Sequence, residues 1–226
     1  MNNNRKTATI VGILFILGTV SGILSAVLTG STFSDPQYLT AVSENESSVL
    51  LGAFFILLMG VSLAMVPVMM FPIFKKHNEA LALGAVIFRG PLEAVLYLAQ
   101  VLSFLFLISL SREYVSAGAA SSADIQIFGN VLLNAGGQIN QVLEIIFSIG
   151  ALMFYTLFYQ TRLIPRWLSG WGFLGGVLYL AAGLLDLFGM GLSFLLIPLA
   201  LQEMVLAVWL IAVGFRQTDT GNQSAK

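Results

Sequence analysis

The sequence has no cysteine, a single histidine, and few charged residues of either sign. The lack of cysteine excludes disulfide bonds, thiolate metal sites and cysteine nucleophiles. The one histidine, His77, excludes a metal cage built from several imidazoles. The net charge of −1 provides no bulk field that would attract nucleic acid. The sequence therefore predicts no metal site, no cofactor and no nucleic-acid partner.

Apolar residues, by contrast, are abundant. Of the 226 residues, 58% are hydrophobic and only 9% are charged, whereas soluble domains carry roughly 25% charged residues. A soluble fold of this length cannot bury so many apolar side chains, because a large share of its surface must face water. The composition indicates an integral membrane protein whose first partner is the lipid bilayer.

Six segments are long and apolar enough to cross a bilayer, which requires about 20 mostly apolar residues. They cover residues 7–28, 49–73, 81–110, 125–159, 167–188 and 192–215. The sequence therefore predicts an all-α, polytopic membrane protein: one domain with a bundle of six transmembrane helices, followed by a disordered polar tail at 217–226. We expect the long third and fourth spans to tilt or project from the bilayer. Pro91 and Pro198, inside the third and sixth spans, are expected to kink them.

The distribution of basic residues predicts the orientation. If the N-terminus is cytoplasmic, only Arg112 lies outside and only Arg89 lies within a span. The remaining eight basic residues then lie inside: Arg5, Lys6, Lys75, Lys76, Arg162, Arg166, Arg216 and Lys226. Both termini are therefore predicted to be cytoplasmic.

Aromatic residues and short loops add three local expectations. Trp167, Trp171, Tyr155 and Tyr159 are predicted to be lipid-facing anchors at the cytoplasmic headgroup level. In the outer segment 31–48, Asp35-Pro36 indicates a turn or a helix start, and Pro36 would suit the first helical position. The spacing of Tyr38, Leu39 and Val42 then predicts one buried face of a short surface helix.

Small residues recur at four-residue spacing in two spans. Gly18 and Gly22 form such a pair in the first span, and Gly172 and Gly176 form another in the fifth. This spacing allows helices to approach closely in lipid. We expect these pairs to pack within the chain, and a homo-oligomer is the alternative.

Polar and ionisable residues inside the third span share one helical face. At about 100° per residue, the directions of Glu93, Tyr97, Gln100 and Ser103 all fall within roughly 80° of that of Arg89. Ionisable residues within a span are costly and indicate function by default. Arg89 and Glu93 are one turn apart, so we expect an ion pair between them.

The fourth span carries a second polar stripe. By the same rotation, the directions of Asn134, Gln138, Gln141 and Glu144 fall within roughly 80° of that of Asn130. Lipid does not tolerate such a stripe, so we expect it to face protein or a wet cavity, opposite the stripe of the third span. In the sixth span, Glu203 lies near mid-bilayer and is expected to join the same cluster.

These stripes lead to three hypotheses about function. The preferred one is a non-enzymatic membrane protein whose polar intramembrane cavity binds a small polar or amphipathic ligand, with Arg89 as the anion anchor. The alternatives are a proton- or cation-coupled transporter of small solutes and a purely structural polar core with function in partner binding. The predicted ligand-binding residues are Arg89, Glu93, Tyr97, Gln100, Asn134, Gln138, Gln141, Glu144 and Glu203.

Motifs of common catalytic chemistry are absent from the sequence. There is no Gly-x-Ser-x-Gly elbow, no His-Glu-x-x-His zinc pair and no phosphate-binding glycine-rich loop with lysine. An enzyme that uses Glu93 and Glu144 as acid and base remains a further alternative, but no catalytic residue is predicted.

Several short motifs are similar to those of a known family. They are the run Lys75–Gly84, Phe88-Arg89 with Glu93-Ala94, Asp35-Pro36-x-Tyr38-Leu39, Glu44-Asn45-Glu46, and Leu163-Ile164-Pro165-Arg166-Trp167-Leu168. With these motifs the chain resembles, over almost its whole length, a bacterial membrane family known only as domain of unknown function 4386. The resemblance implies a six-span, multi-pass protein of the bacterial cytoplasmic membrane and implies no activity.

Overall fold

The structure is a computed structural model that describes residues 3–117 and 122–216. Within these residues it is helical and has no β-strand, as predicted. Six helical segments are long and apolar enough to cross a membrane, which confirms the predicted all-α bundle of six spans. Residues 217–226, predicted to be a disordered tail, lie outside the described residues.

Most spanning helices are longer than their apolar segments. The helices are α1 (Asn3–Phe33), α2 (Tyr38–Glu44), α3 (Glu46–Phe74), α4 (Glu79–Ile87), α5 (Glu93–Ser116), α6 (Ser122–Thr161), α7 (Arg166–Leu187) and α8 (Ile197–Ala212). The third span is α4 and α5 joined by a π-helical turn, Phe88–Leu92, and the sixth is a 3₁₀ turn, Ser193–Leu196, followed by α8. Flanking residues thus continue these helices beyond the predicted apolar segments.

The prolines act differently in the third and sixth spans. Pro91 lies inside the π-helical turn, as expected for a residue that has no N–H and clashes with the preceding turn. Pro198, which was expected to kink the sixth span, lies in the first turn of α8 instead. That expectation was wrong because backbone N–H groups in the first turn of a helix have no intrahelical acceptor. Proline, which has no N–H, is therefore well tolerated there.

The chain forms two compact units. The first contains residues 3–16, 63–92 and 144–216, and the second contains residues 17–62, 93–117 and 122–143. The helices α1, α3 and α6 contribute residues to both units, and the third span passes from one to the other between Leu92 and Glu93. The two units are described separately below.

In the first unit, the start of α1 contacts the end of α8, and the segment after α8 contacts the loop between α6 and α7. A guanidinium nitrogen of Arg5 donates to the carbonyl oxygens of Ile211 (2.8 Å) and Ala212 (3.0 Å). The backbone N–H of Arg216 donates to the carbonyl oxygen of Leu163 at 2.8 Å. Gly214, two residues after the end of α8, has a positive φ of 81°. Three of the segments predicted to be cytoplasmic are therefore at the same end of this unit.

In the second unit, α2 packs on α5 and α6 as a short amphipathic helix. Tyr38, Leu39 and Val42 are buried, which confirms their predicted face. Ser111 donates a hydrogen bond to the carbonyl oxygen of Leu39, and the Tyr38 hydroxyl donates to Oδ1 of Asn130 at 3.0 Å. Burial raises the pKa of Tyr38 above its usual value, and the electrostatic effect of neighbouring Tyr114 raises it further by a smaller amount.

The helix starts at Tyr38 and not at Pro36. The side chain of Asp35 accepts a hydrogen bond from the N–H of Gln37 at 2.7 Å. This Asx turn holds residues 35–37 outside the helix. Of the two alternatives for Asp35-Pro36, the turn is the one that forms, and Pro36 lies two residues before the first helical position.

Three of the four paired glycines pack against side chains of the same chain. A Cβ on Gly22 would meet the sulfur of Met59, and Cβ atoms on Gly172 and Gly176 would meet Tyr155 and Leu152. The first contact lies in the second unit and the other two lie in the first. At Gly22, Gly172 and Gly176 the preferred interpretation, close packing inside the bundle, is confirmed.

A Gly172→Ala variant should lower the thermal stability of the purified protein. The new methyl group would overlap the ring of buried Tyr155, and overpacking of this kind costs about 1–3 kcal/mol. Gly170→Ala is the matched control, because nothing lies within 4 Å of its Cβ position. A thermal-unfolding experiment in which both variants melt at the wild-type temperature would contradict this packing.

Candidate functional site

Arg89 is the largest completely buried side chain of the first unit. Its relative exposure is 0%, and Nη1 donates to Oε1 of Glu203 in α8 at 3.1 Å. An uncompensated charge in a low-dielectric interior is very costly, so an arginine at this depth requires a carboxylate nearby. The structure thus brings together Arg89 and Glu203, two of the residues that the sequence analysis assigned to one polar cluster.

Three phenylalanine rings surround the guanidinium group. Cζ of Arg89 lies 4.5 Å from the ring centroid of Phe147 and 5.7 Å from those of Phe15 and Phe154. Cation–π attraction to these rings stabilises the charge where water is excluded. None of the three was predicted, because phenylalanine is too common in this sequence to mark a site.

Gly150 makes room for the arginine. A Cβ on Gly150 would lie 2.5 Å from Cγ of Arg89 and 3.1 Å from its backbone nitrogen. The π-helical turn that carries Arg89 therefore lies directly against the backbone of α6. Any side chain at Gly150 would separate the two helices.

Tyr155 is part of this cluster and not an interface anchor. Its relative exposure is 0%, and its hydroxyl donates to Oε1 of Glu203 at 3.4 Å. The prediction of a lipid-facing Tyr155 was wrong because Gly172 of α7 leaves space for its ring in the interior. Tyr159 and Trp167 are 47% and 56% exposed, as anchors would be.

Gln202 is another buried polar residue that the sequence analysis missed. Its Nε2 donates to the carbonyl oxygen of Leu168 in α7 at 3.0 Å, and its side chain is fully buried. Gln202 directly precedes Glu203 in the sequence, and consecutive residues of a helix point about 100° apart. The two side chains therefore lie on different faces of α8. Both are buried because α8 has neighbours on more than one side.

In the second unit, Glu93 and Tyr97 form a buried pair on α5. The Tyr97 hydroxyl donates to Oε1 of Glu93 at 3.2 Å, and the two residues are 1% and 7% exposed. A Cβ on Gly60 of α3 would lie 3.0 Å from the Tyr97 ring. The predicted pairing of Glu93 with Arg89 stays a prediction.

A cavity of about 290 Å³ lies between α1, α3, α5 and α6 of the second unit. Its polar lining consists of two carboxamides and three hydroxyls, and glycines form part of its wall. The lining residues used below are Ser25, Thr29, Gln100, Ser103, Gly136 and Asn140. No charged side chain is among the described residues that line it. The cavity is therefore polar but uncharged.

Gln100 has an unsatisfied group at this cavity. The residue is 8% exposed, and its buried Oε1 has no hydrogen-bond partner among the described residues. A buried carbonyl oxygen left without a donor costs about 1–3 kcal/mol. Gln100 is the one predicted site residue that lines this cavity.

The polar stripe of α6 is covered only in part by this chain. Asn134 and Gln138 are exposed, while Gln141 and Glu144 are half-buried. Asn134 and Gln138 are thus not covered by the described residues of this chain, and the expectation that the stripe faces protein or a wet cavity stays a prediction for them. In the second unit α6 packs on α5 through another face, where Ser103 donates to the carbonyl oxygen of Leu132 at 3.4 Å.

Glu144 packs against α7 of the first unit. A Cβ on Gly183 would lie 3.1 Å from Cβ of Glu144. Ser148 donates a hydrogen bond to the backbone carbonyl of Glu144. Among the described residues there is no group of three or more His, Asp or Glu side chains that could hold a metal ion.

Comparison with known proteins places this chain in a family. The model of a family described as a domain of unknown function, DUF4386, matches residues 10–214. The chain belongs to the DUF4386 family. No curated protein and no solved structure matches it. The match spans all six membrane helices of this DUF4386 protein, so the resemblance of its motifs is confirmed as family membership.

A double-mutant cycle on Arg89 and Glu203 should show strong coupling in this DUF4386 protein. Either single change to alanine leaves an uncompensated buried charge, which costs about 3–5 kcal/mol. The double variant removes both charges, so we expect a coupling energy of about 1–3 kcal/mol in reversible unfolding measurements.

The matched control is Arg112 with Glu46, an exposed bidentate pair in the second unit. Solvent screens such a pair, so its cycle should give a much smaller coupling. Additive effects of Arg89→Ala and Glu203→Ala would show that the buried contact contributes nothing specific.

Proposed function

We propose that this membrane protein binds a small, uncharged polar or amphipathic molecule in the cavity of its second unit. The observation that carries the proposal is that Gln100 lines this cavity and that its buried Oε1 has no donor within the described residues. If the Gln100 carboxamide turns its oxygen toward the cavity, a ligand hydroxyl or N–H would supply the missing hydrogen bond. Binding would then remove the free-energy cost of the unbonded Gln100 oxygen, and this gain would add to the affinity.

The size of the cavity limits the ligand. Ligand sites typically have volumes of about 300–1,000 Å³, so a cavity of about 290 Å³ accommodates only a small molecule. It equals the volume of on the order of ten water molecules. Phe33, Ile56 and Leu133 provide an apolar part of the lining, which suits an amphipathic ligand.

The chemistry of the lining argues against a charged ligand. The polar groups are hydroxyls and carboxamides, which donate and accept hydrogen bonds but do not neutralise a charge. The guanidinium of Arg89, predicted as an anion anchor, contacts the carboxylate of Glu203. We therefore assign ligand recognition to Gln100, with Ser25, Thr29, Ser103 and Asn140 around the ligand.

We propose that the protein acts in the bacterial cytoplasmic membrane with both termini inside. Arg5, Arg216 and the loop at Leu163 meet at one end of the first unit, and basic residues favour the cytoplasmic side. Because the chain has no cysteine, single cysteines can report the topology.

A cysteine at His77 should react with an impermeant maleimide only after the cell membrane is broken, and a cysteine at Gln37 should react in intact cells. Both positions lie in loops, at 75–78 and 34–37, so the thiols are reachable once the reagent has access. The reverse labelling pattern would overturn the orientation.

The ligand hypothesis predicts a specific loss of binding in Gln100→Leu. Native mass spectrometry of the protein extracted from its own membranes should detect a small non-covalent adduct on the wild type. The adduct should be lost when leucine removes the amide, whereas Gln138→Leu, which alters an exposed carboxamide outside the cavity, should retain it.

The same pair of variants separates the alternatives. Stabilisation of the wild type by uncharged polyols or amides, absent in Gln100→Leu, would support the binding proposal. Proteoliposome uptake of such a solute, abolished by Gln100→Leu, would indicate transport. If Gln100→Leu only changes the melting temperature, and no adduct or solute binds the wild type, the polar core is structural.

A further inference from the structure

The cavity of the second unit is closed at one end by α2. Three of its apolar lining residues, Phe33, Leu107 and Leu133, also pack against the buried face of α2. Ser111 and Asn130, which hydrogen-bond to α2, lie one turn further along α5 and α6. A molecule would pass through this end only if α2 were displaced.

The opposite end is closed by close contacts between neighbouring helices. A Cβ on Gly22 of α1 would meet the sulfur of Met59 in α3, and a Cβ on Gly60 of α3 would lie 3.0 Å from Tyr97 in α5. Met59 and Tyr97 lie about one turn beyond the lining residues of their helices. Described parts of the second unit therefore close both ends of the cavity.

The cavity is open on one side, between α1 and α6. Among the described lining residues the exposed ones are Ala26, Gly137 and Asn140, and the others are buried or half-buried. A Cβ on Gly136 would lie 3.3 Å from the amide nitrogen of Gln100, whereas no described atom lies within 4 Å of a Cβ on Gly137. Gly136 therefore belongs to the inner wall, and Ala26, Gly137 and Asn140 border what we call the side opening.

The two edges of the side opening differ in their chemistry. On α1, the neighbours of Ala26 in the helix include Ile23 and Val27, which are 58% and 72% exposed. On α6, Asn140 presents a carboxamide that donates and accepts hydrogen bonds. A molecule with an apolar chain gains from contact with the α1 edge, and a purely polar solute does not. The side opening therefore favours an amphipathic molecule.

From the closed ends and the side opening, we infer that an amphipathic molecule with an uncharged polar head enters the cavity sideways, between α1 and α6. Its head reaches Gln100, and its apolar chain remains in the side opening, because a cavity of about 290 Å³ holds little more than a head group. This inference rests on the proposed function. It adds the class of the ligand and names Ala26 and Gly137 as the residues that control its passage.

Thiol labelling tests the route without any ligand, since the chain has no cysteine of its own. Ser103 is buried and lines the cavity. The Ser103→Cys thiol should react with methyl methanethiolsulfonate, a small uncharged reagent. Gly137→Phe should slow this reaction about tenfold, because its ring would fill the side opening and a thiol must be accessible to react.

Gly30→Phe is the matched control for Gly137→Phe. Gly30 is also an exposed glycine with no described atom within 4 Å of its Cβ position, but it does not line the cavity. Ala26→Phe narrows the same opening from α1 and should slow the reaction as Gly137→Phe does, so a folding defect in one variant is recognisable. An unreactive Ser103→Cys thiol, or an unchanged rate in both phenylalanine variants, would overturn the route.

Protection by 1-octanol tests the class of the ligand. This alcohol joins one hydroxyl to an apolar chain, so it should slow labelling of Ser103→Cys at a concentration at least about tenfold lower than propane-1,2-diol requires. Labelling of Ser109→Cys, at an exposed position of the same helix, should not change. Equal protection by the diol would overturn the amphipathic class. If neither compound protects while Gly137→Phe still slows labelling, the proposed function and the ligand class are wrong and the sideways route is supported.

Discussion

The burial of a guanidinium group among membrane-spanning helices is the constraint on which the first unit depends. Arg89 has no access to solvent, and a charge so placed must find its compensation inside the protein. Glu203 provides the carboxylate, Tyr155 donates a hydrogen bond to the same carboxylate oxygen, and three phenylalanine rings enclose the cation. Contributions from α1, α6 and α8 thereby meet at one side chain.

The second unit treats its polar groups in another way. Its cavity is lined by hydroxyls and carboxamides, and the amide oxygen of Gln100 stays unsatisfied. The guanidinium of Arg89 has its carboxylate partner within the chain, whereas the cavity of the second unit offers only uncharged donors and acceptors. The contrast explains why ligand recognition is assigned to the uncharged cavity and not to the ion pair of Arg89 and Glu203.

Much of the fold could be predicted from the sequence, and less of the site. The six spans and the buried face of Tyr38, Leu39 and Val42 follow from apolar length and periodicity. The helical phases of the third span agree with the structure, since Arg89 and the four residues predicted to share its face are all buried. On α6 they predicted the stripe but not its surroundings, because Asn134 and Gln138 are exposed in this chain.

The helical phase of a residue also gives only the direction of its side chain about the helix axis. It does not show which helix packs on that side. It indicated that the α6 residues formed a stripe, but it could not show that α5 packs on a different face, at Leu132 and Gly136. The burial of Tyr155 likewise depends on Gly172, which lies in a different helix. Pairing of this kind is set by tertiary contacts, which no local pattern encodes.

Glycines stand opposite most of the large polar side chains. Within the first unit Gly150 faces Arg89, Gly172 faces Tyr155 and Gly183 faces Glu144. Within the second unit, Gly60 faces Tyr97 and Gly136 faces Gln100. In each pair the glycine leaves the space that the larger side chain occupies. A substitution at one position therefore restricts which residues fit at the other. In other DUF4386 sequences a larger residue at the glycine position should coincide with a shorter polar partner, and this correlated change would trace the same helix contacts without any coordinates.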